Sequence, residues 1–283
     1  MGQRTARWLA AAAAALCVSA SASATPSTSP PPPGASIPAT PSQLGAALTE
    51  TTVALRAAVD RWLARGNPSV GGPPLDVTFG ALYQQRIYIV LSARPRLARA
   101  TIARLPGWLA AQARDNAGAR RELASITPRQ RLPAFRTGRA LPAGVLLGYY
   151  RSAERRFLIA WQVLAAVNFV ESAFNKLRNA SAAGAQGPMQ FMPSTWRVYG
   201  LGGNVHDPRD AILGAANFLR AHGAPRNYRR ALHAYNPSWL YVDAVLRYTR
   251  QIRSDRRAFF VYYSRQVFVR TPSGDKRLTG PGR

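Results

Sequence analysis

The chain is short of cysteine, lysine and acid. A single cysteine, Cys17, excludes an internal disulfide framework. Twelve Asp and Glu face 38 Lys and Arg, which leaves a formal charge of +26. Lysine is nearly absent: only Lys176 and Lys276 occur, so the basicity is almost all arginine, a bias that codon usage can produce. With three histidines and one cysteine there is no zinc-ligand spacing, and neither a phosphate-cradling Walker loop nor an aromatic RNA-binding signature is present. These absences speak against metal, nucleotide and RNA chemistry. What remains is a strongly positive field suited to an anionic partner, either nucleic acid, an acidic membrane or an anionic cell wall. An apolar fraction of 47% is ample for a packed core.

The N-terminus narrows that choice. Arg4 and Arg7 precede a short apolar run from Trp8 to Val18. Small residues follow, with A-x-A patterns ending at Ala22 and Ala24. This reads as a secretory signal peptide over 1–24, too short to be a membrane span. Bulky Leu16 before Cys17 argues against lipid attachment. Cleavage after Ala24 removes Arg4 and Arg7, and with them two of the 26 charges, and leaves a cysteine-free chain outside the cytoplasm. Export argues against a nucleic-acid partner.

Residues 25–43 are rich in Pro, Ser, Thr and Ala and read as a tether. Apolar residues at helical spacing predict an accessory helical region over 44–131, with stretches at Leu44–Ala64, Phe79–Leu91, Leu97–Ala113 and Asn116–Ile126. A linker with two prolines covers Leu132–Pro142. Residues 140–253 are helical again around a Gly-rich middle. Over 254–283 the runs Phe259–Tyr263 and Gln266–Val269 predict two short strands ahead of a Pro272–Asp275 turn. The expected fold class is therefore mainly α with a short C-terminal β segment.

One acid stands out. Leu164, Val167, Val170 and Phe174 recur at steps of three and four residues, and Glu171 borders that stripe near the C-terminal end of the helix. Apolar surroundings and the negative end of the helix dipole both disfavour a carboxylate, so Glu171 is expected to titrate high and to serve as a general acid. The small residues from Ser181 to Gly187 let backbone approach a ligand, and Gln190 offers an amide donor and acceptor. Tyr235-Asn236-Pro237 brings a phenol and an amide into one turn.

Taken in order, Glu171-Ser172-x-Phe174-Asn175, then Ser181-x-x-Gly184-Ala185-x-Gly187-x-Met189-Gln190, then Thr195-Trp196, then Ala234-Tyr235-Asn236, this pattern resembles the lytic transglycosylases with a soluble-transglycosylase (SLT, goose-lysozyme-like) domain. The resemblance covers about Val145 to Arg253, and the flanks look like those of the high-GC Gram-positive type. It implies a lysozyme-like domain that cleaves peptidoglycan between N-acetylmuramic acid and N-acetylglucosamine. Glu171 matches the catalytic glutamate. Ser172, Met189, Gln190, Tyr235 and Asn236 match the substrate-binding positions, Tyr235 being the one that hydrogen-bonds near the glutamate. The family usually has Leu where this chain has Pro188, which bears on the local backbone shape.

Of the other acids in this region, Asp207 and Asp210 read as a helix start. Glu154 reads as a surface ion-pair residue among arginines, and Asp243 as structural. No second catalytic carboxylate is evident, which agrees with a single-acid transglycosylase that forms 1,6-anhydro ends with no metal or cofactor. The alternatives are a hydrolytic muramidase on the same fold and a non-catalytic wall-binding protein. The expected setting is secreted and wall-associated, as a monomer on glycan strands, with the positive surface able to hold anionic wall polymers.

Overall fold

A computed structural model describes residues 30–129 and 135–282. The signal-peptide region lies outside them. Among the described residues the chain forms eleven α-helices and one two-stranded sheet, so it is mainly α. The N-terminal helices are α1 (Pro41–Arg65), α2 (Leu75–Ala93), α3 (Pro95–Ile102) and α4 (Gly107–Ile126). The central helices are α5 (Ala143–Phe157), α6 (Trp161–Ser172), α7 (Pro193–Tyr199), α8 (Pro208–Ala221), α9 (Tyr228–Tyr235) and α10 (Trp239–Ser254). Then come α11 (Arg257–Ser264) and an antiparallel hairpin of β1 (Phe268–Thr271) and β2 (Gly274–Arg277). No described helix is long and apolar enough to cross a membrane.

The chain punctuates its helices by ordinary means. Thr40 caps α1 with Pro41 at the first position, and Asp207 caps α8 by accepting from the amides of Arg209 and Asp210 ahead of Pro208. Asn227 and Ser238 cap α9 and α10. Three sequence expectations need correction. Leu97–Ala113 is not one helical stretch. Pro106 cannot donate into a helix interior, so α3 ends before it and α4 starts after it, running through Asn116 without a break. Phe259–Tyr263 is helix, not strand. Every residue from Ala258 to Ser264 is buried, and a short run apolar on all sides looks the same in the sequence of a buried helix and of a buried strand. Glu154 makes no ion pair among the described residues. Its Oε1 accepts the amide of Trp161 at 3.1 Å and so closes the N-terminus of α6, which has no capping side chain of its own.

Two hydrophobic clusters form the interior. The smaller joins α1–α4 through Leu44, Leu48, Ile87, Leu91 and Leu109. The larger runs without a break from Leu55 in α1 through α5, α6, α8 and α10 to Tyr263 in α11. The broadest helix–helix contact is α4 against α10, and a buried carboxylate holds it. Asp115 of α4 accepts from Arg250 Nε at 2.9 Å, Arg247 Nη1 at 3.2 Å and Gln251 Nε2 at 2.5 Å. Burial works against its charge, but the donors from Arg250, Gln251 and Arg247 prevail and hold its carboxyl below the usual range. Glu122 takes the rest of Arg247, at 2.9 Å. Asp115→Ala leaves these donors without an acceptor. It is expected to cost about 2 kcal/mol, less than a fully buried pair because both arginines reach solvent. The check is a lower midpoint in urea unfolding at an unchanged slope.

Candidate active site

Helix α6 is built to hold its last turn still. Val163, Leu164 and Val167 have no exposure and lock it into the larger cluster. Asn168 is buried yet fully engaged: its Oδ1 accepts from Tyr150 Oη at 2.7 Å, and its Nδ2 donates to the Pro188 carbonyl at 2.8 Å. One side chain thus ties α5, α6 and the 186–191 loop together. After Ser172 the chain makes three successive left-handed residues, Ala173, Phe174 and Asn175, with φ of 50°, 64° and 65°. None is glycine, so each carries a conformational cost. Phe174 offsets it by full burial, stacked on Phe169 at 5.6 Å and edge-on to Phe259 at 5.8 Å.

Glu171 occupies the last turn before this reversal, half-buried at the negative end of α6. Its Oε1 accepts from Tyr241 Oη at 2.6 Å. Burial pushes the carboxyl up to about 7, while the Tyr241 hydrogen bond pulls the other way. Tyr235 is close enough for the carboxylate to act on it: burial first, and the charge of Glu171 second, hold its phenol well above the usual range. Its hydroxyl donates to the Met189 carbonyl at 2.6 Å rather than to the glutamate.

The loop from Gln186 to Phe191 forms the facing wall. Gln186 and Phe191 exchange both backbone hydrogen bonds at 2.9 Å, and the Gln190 amide donates to the Gly187 carbonyl at 3.1 Å. This pattern asks nothing of an amide at 188, which is why Pro188 fits. Its carbonyl instead receives Asn168 Nδ2 and Ser172 Oγ, the latter at 2.7 Å. Gly187 has no substitute, since a Cβ there would stand 1.9 Å from the Val205 carbonyl oxygen.

The structure therefore brings Glu171, Tyr235 and the Met189 carbonyl together, with Gln190 and Asn236 on the adjoining loop and helix end. Gln190 Nε2 bonds the carbonyls of Gly187 and Asn179, which leaves Oε1 as the atom it can offer outward. Asn236 closes α9 with its amide, and its half-buried side chain makes no hydrogen bond to the described residues. Two of the expected substrate contacts have different surroundings. Ser172 is 2% exposed, and its hydroxyl donates to Pro188 and accepts from Asn175 N at 2.8 Å. The Met189 side chain has no exposure. Both support the wall from behind. The remaining acids are engaged elsewhere: Asp207 as a helix cap, Asp210 on the Asn204 amide, Asp243 with Arg229 at 2.6 Å, and Glu154 on Trp161. No group of metal-ligating side chains occurs among the described residues.

Two residues of this site were missed in the sequence. Asn168 looks like an interruption of the apolar stripe. Tyr241 lies on the buried stripe of α10 with Val245, Tyr248 and Ile252. A phenol on such a stripe needs a partner, and that need was the signal available.

Residues 148–254 match the family model described as the transglycosylase SLT domain. This segment is an SLT domain. It holds every residue of the site just described, from Tyr150 to Tyr241, and leaves α1–α4, α11 and the hairpin outside. No curated protein and no solved structure matches the chain.

Two predictions follow from the SLT-domain geometry. Tyr241→Phe removes the hydrogen bond that favours the charged form, so the Glu171 pKa should rise by about one unit. An NMR titration of the labelled carboxyl reads it directly. Gly187→Ala must displace the Val205 backbone or open the loop, and a loss of about 2 kcal/mol in thermal or urea unfolding is expected.

Proposed function

We propose that the protein is a peptidoglycan lytic transglycosylase, exported and wall-associated, in which Glu171 is the single general acid and base. The observation that carries the reading is a carboxyl in the last turn of α6, hydrogen-bonded to Tyr241 at 2.6 Å and pushed up to about 7 by burial, while Asp207, Asp210, Asp243 and Glu154 are each engaged elsewhere. Protonated Glu171 donates to the oxygen of the β-1,4 bond between N-acetylmuramic acid and N-acetylglucosamine. As that bond breaks, the muramoyl acetamido oxygen closes on the anomeric carbon and takes up the developing positive charge. Glu171, now a carboxylate, accepts the proton of the muramoyl 6-hydroxyl. That oxygen displaces the acetamido group and forms the 1,6-anhydro ring. The first proton leaves on the 4-hydroxyl of the N-acetylglucosamine, the 6-hydroxyl proton restores Glu171 to its acid form, and no water is consumed. Tyr241 holds the carboxyl and stabilises its ionised phase, so that one residue serves both steps. Gln190 Oε1 and the Asn236 amide are the groups we assign to sugar contact, with Tyr235, Ser172 and Met189 fixing the wall that presents them. No metal or cofactor enters the scheme. The positive surface gives the chain a means of staying on anionic wall polymers.

Digestion of purified sacculi followed by mass spectrometry tests the reaction. Anhydromuramoyl ends, lighter by one water than reducing ends, are expected. Reducing ends would make the protein a hydrolytic muramidase. Glu171→Gln should slow cleavage by on the order of 10³-fold. Lysis by that variant at the wild-type rate would remove Glu171 from the mechanism. The cleavage step requires the protonated form, so its rate should fall as pH rises through about 7.

A further inference from the structure

A cavity of about 220 Å³ opens where α1, α2 and α4 meet the C-terminal end of α10 and the start of α11. Tyr241, which holds Glu171, is near the other end of α10. The fourteen residues from Tyr241 to Ser254 span roughly 20 Å of helix, so the cavity is remote from the proposed chemistry. Most of its lining lies outside the SLT domain.

Its floor is apolar, from Leu55, Ala258 and Val261, with one deeply buried amide, Gln84, which is 1% exposed. Its charges are paired. Asp255 pairs with Arg56 at 3.0 Å and with Arg257 at 2.9 Å, and Arg257 also reaches Asp60 at 3.0 Å. Both guanidinium groups of the lining are thus paired, Arg257 in part by Asp60, which stands outside it, so that little unpaired charge faces the cavity on a chain of net charge +26. Polar capacity remains after these pairings. Gln251 uses Nε2 on Asp115 and keeps Oε1, and the Gln112 side-chain amide has no partner among the described residues. At the mouth stands Trp108. The Arg56 guanidinium covers the ring at 4.2 Å, and 43% of the residue is exposed, a large flat apolar surface left in water.

A pocket whose charges are already paired, with an aromatic plate and unspent amide atoms, does not suit an anion, a metal ion or a purely apolar group. It suits a flat-faced ring that carries hydroxyl and acetamido groups, whose C–H face lies on the indole while its polar rim meets the amides. The volume is below the range of drug-sized pockets and corresponds to about one such ring. We propose that this cavity binds one N-acetylated pyranose unit of a glycan, as a saccharide site separate from that of Glu171. It would hold the wall strand by a ring the enzyme does not cut. The presence of such a ligand rests on the glycan-cleaving reading above, whereas the pocket chemistry does not.

The test is a titration of the isotopically labelled full chain with tri-N-acetylchitotriose, following the Trp108 indole N–H by NMR. Saturable movement of that signal is expected, with a dissociation constant on the order of millimolar. Glu171→Gln should leave it unchanged. Trp108→Ala and, as a milder variant that keeps the ring, Gln112→Ala should each weaken binding to the pocket. The first should do so at least tenfold, read on the Gln251 side-chain amide, and both should reduce co-sedimentation with sacculi. A Trp108 signal that stays fixed while the sugar saturates elsewhere overturns the proposal. So does movement caused by inorganic phosphate and not by the sugar. Movement in a protein that yields no anhydro ends would remove the lytic reading and keep the saccharide site.

Discussion

A lone carboxyl keeps its proton toward neutral pH where folding withholds water from it without supplying a cation. Glu171 meets both conditions in a chain with 38 basic side chains. Burial raises it, the Tyr241 phenol pulls it part of the way back, and no arginine enters the balance. Several arginines are spent on other acids: Arg247 and Arg250 on Asp115, Arg56 and Arg257 on Asp255, and Arg229 on Asp243. A guanidinium placed against Glu171 would hold it ionised and end its use as an acid. The geometry of α6, the 186–191 loop and α10 is arranged around that exclusion.

Keeping the acid in such a place takes a backbone that reverses at once. Ala173 to Asn175 do so through three left-handed residues, each costing on the order of 1 kcal/mol. The reversal points Phe174 into the core, where Phe169, Phe259 and Tyr263 receive it. It also lets Ser172 cap the Asn175 amide while bracing Pro188. The strain sits beside the reacting group and the compensation sits in the core, a division common at functional sites.

This division explains what could be read in the sequence. Glu171 was legible because helical periodicity places it against the stripe of Leu164 and Val167, and local spacing is enough for that. The caps at Asp207 and Ser238 are local chemistry too. Tyr241 is seventy residues away from Glu171, and no periodicity encodes a meeting between two helices. Ser172 and Met189 stand in the motif as contacts, yet a pattern of residue types records position and not which way a side chain points. Phe259–Tyr263 misled for a related reason: once a run is apolar on all sides, its period carries no information.

The site also depends on parts of the chain beyond the SLT domain. α10 presents Tyr241 near its first turn and is held at its far end by Asp115 and Glu122 of α4, so α4 helps to set the angle at which the phenol meets the acid. α11 supplies Phe259, which packs edge-on against Tyr150, Trp161 and Phe174 beneath α6. Lys176, just past the reversal, donates to the Tyr263 and Arg265 carbonyls at the end of α11. Residues 148–254 taken alone would keep every group that faces the proposed substrate. They would lose the acceptors of Arg247 and Arg250, the ring beneath Phe174, and both carbonyls that seat Lys176. Burial raises the pKa of Glu171, and the helices that set that burial, α6 and α10, are themselves packed against α11 and α4, outside the domain that carries the acid.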